Sequence, residues 1–454
     1  MLAPPGDRHL DIPIMFCNVS SMSIANLSEP EFVTILNAHL SPSSPINQLN
    51  LLCGRVEQIE QIRRAFHSPG RQVFIHGDRG VGKSSLAIAM GNYLSPEDRA
   101  PVQVACNGQD FQTLIRDIGN QLLSFLPVGP SKTTKRSVGI QKFGISAMLE
   151  TQLQERAVPT LASINEAVSV LRYCAEADQG EPVVILDEFD KIASSKDREL
   201  FADLIKQLGD QRVPIKVFFT GIGTSLEDLL ADHHSCYRYI EAVHLQPLDW
   251  EGRLEIIRGA ADALGVSVDN ASEFRIGAMS DGFPHYIHLV CEKLFWGAFD
   301  DDQAVAVTRP DLYMQAVVEA VKGIEPTLKR LYEEATHKYN DDYQEVLWAV
   351  ADHHEFKRRS SDIYVSYCDI MKQRPGRKLL DRSKFNQRMN ALKQVSHGEV
   401  LHGSRQGWYE LREPILRGYI RLRAEMEGME LAQEHPGQVG ARKIRLFQNA
   451  KLAG

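Results

Sequence analysis

The sequence predicts an α/β fold built on a parallel sheet, followed by a small helical region and a basic C-terminal module, on three observations. From Leu51 to about Gln246, apolar strand patterns alternate with helical ones, and strands separated by helix-length connections pair in parallel with both faces covered. One of those strands runs straight into a glycine-rich loop that opens a helix. After Tyr339 the pattern becomes three helices, a short hairpin and a closing helix, rich in Lys and Arg.

Length and composition set the frame. A chain of 454 residues has room for two or three domains with real cores. With 43% apolar and 24% charged residues it resembles an ordinary globular chain rather than a disordered one. The net charge of −8 excludes a polycation that coats nucleic acid or anionic membrane through bulk charge, so any such binding must be local. No run of about 18 apolar residues is present, and the start lacks a basic stretch followed by an apolar one, so no membrane partner and a cytoplasmic location are expected. The seven cysteines are scattered without CxxC spacing, which reads as buried thiols in a reducing compartment. The His233-His234 pair has no third ligand at metal spacing and reads as surface histidine.

Taken in order, residues 1–50 read as an extension and linker ending in the breaker run Ser41-Pro42-Ser43-Ser44-Pro45. Residues 51–247 form the α/β core, with strands expected at 73–76, 102–106, 183–186, 215–220 and 242–246 and an insertion at 125–159. Residues 248–325 read as a helical lid, with helices over Glu251–Leu264 and His285–Phe299. The basic module spans 340–430, and 431–454 is a tail.

The strand Val73-Phe74-Ile75-His76 leads into Gly77-Asp78-Arg79-Gly80-Val81-Gly82-Lys83-Ser84, which fits G-x-x-x-x-G-K-[ST], and then into the helix beginning Ser85. The glycines let backbone N–H groups curl toward phosphate oxygens at a helix N-terminus. Lys83 is expected at the β and γ phosphates of ATP, and Ser84 at Mg²⁺. About a hundred residues on, the apolar strand Val183–Leu186 ends in Asp187 and Glu188. Asp187 is expected to hold Mg²⁺ and Glu188 to polarise the attacking water. Thr220, at the end of a further strand, is expected near the γ-phosphate. Arg238 precedes the last strand, where it could complete a neighbouring chain's site; a surface salt bridge explains it equally.

These residues resemble the AAA+ ATPases and the related STAND signalling ATPases over about residues 50–300. The resemblance implies a P-loop parallel-sheet ATPase core with a helical lid, Walker A at Gly77–Ser84 and Walker B at Asp187-Glu188. It also implies an adenine-side box at Gly54-Arg55, a polar restraint on the glutamate at Asn107, sensor 1 at Thr220, and a nucleotide-contacting turn at Gly282-Phe283-Pro284. The arginine common near that turn is replaced by His285 or missing, which favours a slow switch over a motor. The basic module over 340–430, with its Tyr409-Glu410-Leu411 and Leu416-Arg417-Gly418-Tyr419-Ile420 ending, resembles the winged-helix domain of the origin-recognition and transposition ATPases.

From Glu355 to Arg423 the chain carries sixteen Lys or Arg against seven Asp or Glu, leaving −17 for the rest. A helix over Asp381–Gln394 would bury Phe385, Met389 and Leu392 and turn Arg382, Lys384, Gln387, Arg388 and Lys393 outward. Arg405 would sit at the tip of a wing over Val400–Leu411, against duplex DNA. Docking on a protein is the other reading of this face. The expected activity is therefore an ATP-driven homo-oligomerising switch that engages DNA in replication, transposition or mobile-element biology. The alternative is a STAND-like signalling ATPase, for example in antiphage defence, that activates a separate effector protein.

Overall fold

The computed structural model describes residues 23–97, 99–126, 158, 160–161, 163–177, 181–223, 234–337, 342–403 and 406–432. They fall into two compact units. One is continuous, residues 45–246; the other combines residues up to 44 with those from 247 onward.

The continuous unit is built on strands β1 (Gln72–Gly77), β2 (Val102–Ala105), β3 (Val183–Asp187), β4 (Lys216–Gly221) and β5 (Ile240–Leu245). They form one parallel sheet in the order β2-β3-β4-β1-β5. Every residue of β4 is buried, as expected for a strand covered on both faces. The expected strands all exist, with ends shifted by at most two residues. Register pairs Ile75 with Thr220, Gly77 with Leu245 and Ala105 with Asp187, so the ends of the strands gather at one edge. Among its described residues the unit also has helices α2 (Val56–Phe66), α3 (Lys83–Leu94), α4 (Phe111–Phe125), α5 (Ile164–Ala177) and α6 (Ser195–Asp210). Helix α4 shows why they form. Asp110 caps it by accepting from the Thr113 N–H at 2.8 Å, and Phe111, Leu114, Ile115, Ile118 and Leu122 recur at helical spacing into the core. Most of the expected 125–159 insertion lies outside the described residues.

Within the residues read as extension and linker, the stretch around 29–39 is a packed helix of the second unit. Residues Glu29–His39 form helix α1, opened by a capping box between Ser28 and Glu31. Phe32 is fully buried, stacked on Phe299 at 4.3 Å and edge-on to Trp296 at 4.8 Å. The lid helices are α7 (Trp250–Leu264) and α9 (Pro284–Phe299), with α8 (Asn270–Ser280) between them; α10 (Pro310–Gly323) and α11 (Pro326–Thr336) follow. The basic module runs α12 (Asp342–Ala351), β6 (Arg358–Arg359), α13 (Ser360–Lys372), α14 (Arg382–Ala391), β7 (Leu401–Gly403), β8 (Trp408–Leu411) and α15 (Leu416–Met426). Its three strands form an antiparallel sheet in the order β6-β8-β7.

The expected boundary between a lid ending near 325 and a module starting near 340 is not a break in packing. Arg275 and Glu425 form a fully buried ion pair across it. The Tyr286 hydroxyl donates to the Ile415 carbonyl at 2.6 Å, and Gly418 lies so close to the Tyr286 ring that a Cβ there would be 2.3 Å from it. Arg421 donates to the Ala278 carbonyl at 2.6 Å and to Asp281 at 3.0 Å, and Arg417 meets the other Asp281 oxygen at 3.1 Å. Among the described residues, no helix is long and apolar enough to cross a membrane.

Candidate active site

Strand β1 delivers the chain to Gly77, where φ is 149° and a Cβ would lie 2.1 Å from the Leu245 carbonyl oxygen, so only glycine fits. Gly82 turns into α3 at φ 97°, a left-handed conformation that a side chain would strain although the space is open. Between them Asp78 and Arg79 are exposed and Val81 is buried; Gly80 is also left-handed, at φ 82°. Lys83 folds back over this loop, its Nζ donating to the Gly77 carbonyl at 3.0 Å and the Asp78 carbonyl at 2.7 Å. Burial pushes its ammonium below the usual lysine range, opposed by the field of Asp190, Asp187, Asp78 and Glu188. Arg55, itself buried beside the left-handed Gly54, braces the loop by donating to the Val81 carbonyl at 3.0 Å. The Ser85 hydroxyl accepts from the Ile46 N–H at 3.1 Å.

The acidic half converges on the same place. Asp187 Oδ1 accepts from the Ser84 hydroxyl at 2.9 Å, from the Thr220 hydroxyl, and from the Glu188 N–H at 3.1 Å. The Glu188 N–H also reaches Thr220 Oγ1 at 3.2 Å. These bonds hold Glu188 at φ 57°, unusual for a residue with a side chain. Its carboxylate pairs with Lys191 at 2.5 Å. Asn107 is exposed and its N–H goes to Gln109 at 2.5 Å.

Sequence reasoning missed two residues here. Lys191 is the partner of Glu188, and Asp190 accepts from the Ile222 N–H at 2.7 Å. The signal was the third acid of Asp187-Glu188-Phe189-Asp190, three residues past the first. Arg238 is 64% exposed, bonded to Asp210 at 3.2 Å and lying over the Tyr239 ring at 4.7 Å, so it is a surface arginine held in one place.

Pro284 lies in the other unit, at the first position of α9. His285 is bonded through Nδ1 to the Pro42 carbonyl at 3.0 Å, and burial lowers its pKa, so it does not replace a permanent cation. In the basic module Phe385, Met389 and Leu392 are buried, and Arg382, Lys384 and Gln387 are exposed. The outward placement of Arg388 and Lys393 needs correcting. Arg388 lies over Tyr343 at 4.9 Å and pairs with Asp342 at 3.4 Å, and Lys393 lies over Tyr409 at 5.5 Å. Arg358, Arg417 and Arg421 are buried as well, so the surface excess of positive charge is smaller than the sequence count. Arg405 lies outside the described residues.

A hydroxyl and a carboxylate meeting within hydrogen-bond distance beside a half-buried lysine supply hard oxygen donors and a fixed cation. Those are the donors that a magnesium–triphosphate group requires, so Ser84, Asp187 and Lys83 fit ATP and Mg²⁺. Five parallel strands in this order, with the glycine loop after β1 and the acidic pair after β3, define an α/β P-loop fold of the AAA+ class. Residues 51–218 match the family described as AAA ATPase domain. No curated protein matches the chain. Among solved structures, it is similar to a Walker-type ATPase of Pyrococcus abyssi, with 18% identity, TM-score 0.48, and 84% of this chain and 99% of that one covered. It is also similar to the ORC2 protein of Aeropyrum pernix in ADPNP–ADP complexes, with 14% identity, TM-score 0.45 and coverage of 87% and 98%. Cdc6p from Pyrobaculum aerophilum gives 14% identity, TM-score 0.41 and the same coverage.

Proposed function

We propose that this protein is a cytoplasmic, slowly hydrolysing ATP switch whose nucleotide state controls self-association and engagement of duplex DNA. The observation that carries the ATPase half is the meeting of Ser84, Thr220 and Glu188 N–H on the single carboxylate of Asp187. When bound, ATP·Mg²⁺ supplies the transferable phosphoryl group. Lys83 and the loop amides neutralise phosphate charge, Ser84 and Asp187 hold the metal, and Glu188 accepts a proton from water. Glu188 must leave Lys191 to do so, which agrees with slow turnover. Arg238, exposed and braced by Tyr239 and Asp210, is the residue offered to a neighbouring copy; Pro284 and the Gly54-Arg55 box belong to nucleotide recognition.

The DNA half rests on the element order α12, β6, α13, α14, β7, β8, which is that of a winged helix. Helix α14 presents Arg382, Lys384 and Gln387 to solvent. Titrating a labelled duplex with the full chain, with and without ATP, tests the reading. ATP-enhanced, salt-sensitive binding supports it. Salt-insensitive or absent binding at low ionic strength assigns this face to a protein partner instead.

A further inference from the structure

The segment after Thr220 is Gly221-Ile222-Gly223, three residues with little side-chain packing of their own. Ile222 is 50% exposed, and glycines on both sides give the backbone freedom to move. Yet the segment is pinned from two directions. From the turn after the acidic pair, Asp190 Oδ1 accepts the Ile222 N–H at 2.7 Å, and its oxygen would lie 3.3 Å from a Cβ on Gly221. From the strand that enters the phosphate loop, His76 Nδ1 meets the Gly223 carbonyl at 3.2 Å, which requires the proton on Nδ1. The His76 ring is stacked between Phe74, at 5.7 Å, and His244, at 4.9 Å, so its orientation is fixed.

We infer that Asp190 and His76 are positioning residues for Thr220: they anchor the Gly221-Ile222-Gly223 segment so that the Thr220 hydroxyl stays on Asp187 and beneath the Glu188 N–H. The two bonds made by the Thr220 hydroxyl, to Asp187 and from the Glu188 N–H, depend on where β4 ends. A backbone flanked by glycines does not hold that end in place by itself. Asp190 is a carboxylate bonded to a backbone donor, a charge-assisted bond of the stronger kind. Its field also favours the charged form of Lys83, so it serves both halves of the site. Neither residue touches the reacting atoms, and the inference concerns the arrangement of the site rather than a further chemical step. It rests on the ATPase reading above only for its effect on turnover.

The experiment uses the full chain with Asp190→Ala, Asp190→Asn and His76→Ala, read in two ways. Backbone amide exchange of the nucleotide-free protein reports the anchoring directly. The Ile222 amide should exchange faster in Asp190→Ala and keep most of its protection in Asp190→Asn, which retains an acceptor oxygen. Steady-state hydrolysis should show kcat lower by roughly tenfold in Asp190→Ala, the scale of one such bond. KM for ATP should change by less than about twofold, with kcat partly restored by Asn. His76→Ala should loosen Gly223 with a smaller loss of kcat. Wild-type exchange at Ile222 in Asp190→Ala, or nucleotide affinity falling in step with kcat, overturns the inference. Absence of hydrolysis in the wild type counts against the ATPase reading instead and leaves the exchange result to decide the anchoring.

Discussion

Asp281 and Arg421 face each other at 3.0 Å with 2% and 1% of their side chains exposed, and the second oxygen of Asp281 meets Arg417 at 3.1 Å. Arg253, also buried, adds a third cation in the field of this one carboxylate. The crowding pushes the Arg417 guanidinium down to about 9, chiefly through burial, with Arg421, Arg358 and Arg253 adding to it against the pull of Asp281. Cations exceed anions here, so the two sides are not equivalent. Asp281→Ala should destabilise this unit by about 3–5 kcal/mol, the cost of stranding buried charge. Arg417→Met should cost clearly less, because one unmatched cation leaves with the pair. Denaturant unfolding of the two variants checks the order; equal losses would show that the cluster is balanced.

The two halves of the nucleotide site should separate by mutation. Lys83→Ala should weaken ATP binding at least tenfold by calorimetry, since it removes the charge that meets phosphate in the ground state. Glu188→Gln should bind normally and hydrolyse at less than about a hundredth of the wild-type rate. Equal affinity in wild type and Lys83→Ala would remove the assignment.

Arg238 gives a complementation test. Its contacts to Asp210 and Tyr239 are on the surface of its own unit, so Arg238→Ala should fold normally. Turnover by Arg238→Ala alone should fall and should recover on mixing with Lys83→Ala, which retains Arg238 but not its own site. Failure to recover would confine Arg238 to the surface salt bridge.

The burial of His288 sets a pH response. It is 3% exposed, and its ring accepts from the Ser41 N–H at 3.4 Å, which ties the segment after α1 to α9. Burial, with the neighbouring His285, lowers its pKa to about 4. The unfolded chain therefore binds the proton first, so the contribution is complete above about pH 6.5 and is lost as pH falls toward 4. Between pH 7 and pH 5 the loss should be about 2 kcal/mol, and His288→Gln should flatten that part of the stability profile. A variant with the wild-type slope would show that other groups carry it.

The described module exposes Lys357, Arg359, Lys372, Arg377, Lys378, Arg382, Lys384 and Arg412, with Arg382 lying over Tyr364 at 4.8 Å; if about three of them meet phosphate, log affinity should fall against log salt with a slope of roughly −3. Arg382→Glu with Lys384→Glu should abolish duplex binding by fluorescence anisotropy while ATP binding stays intact. Only Gln387 suits bidentate base readout, so sequence preference should be modest.

What could be read from the sequence was what is local along the chain. Strands buried on both faces are continuous apolar runs, and the phosphate loop fixes its identity within eight residues. The rest depended on partners far away. Helix α1 was hidden because its apolar residues are few and pack against Trp296 and Phe299, more than 250 residues on. Arg275 and Glu425 look like solvated helix positions until the fold brings them together. Arg55 was legible as part of a box, but its bond to Val81 was not.

The discontinuity of the second unit has a consequence for synthesis. The phosphate loop and the acidic strand end both lie within residues 45–246, so that unit can fold as soon as it leaves the ribosome. Helix α1 emerges before the continuous unit but must wait until Trp296 and Phe299 follow it to cover Phe32. Arg275 stays an exposed cation until Glu425 arrives 150 residues later. The growing chain thus completes its phosphate loop and acidic strand end well before the module with the basic face exists.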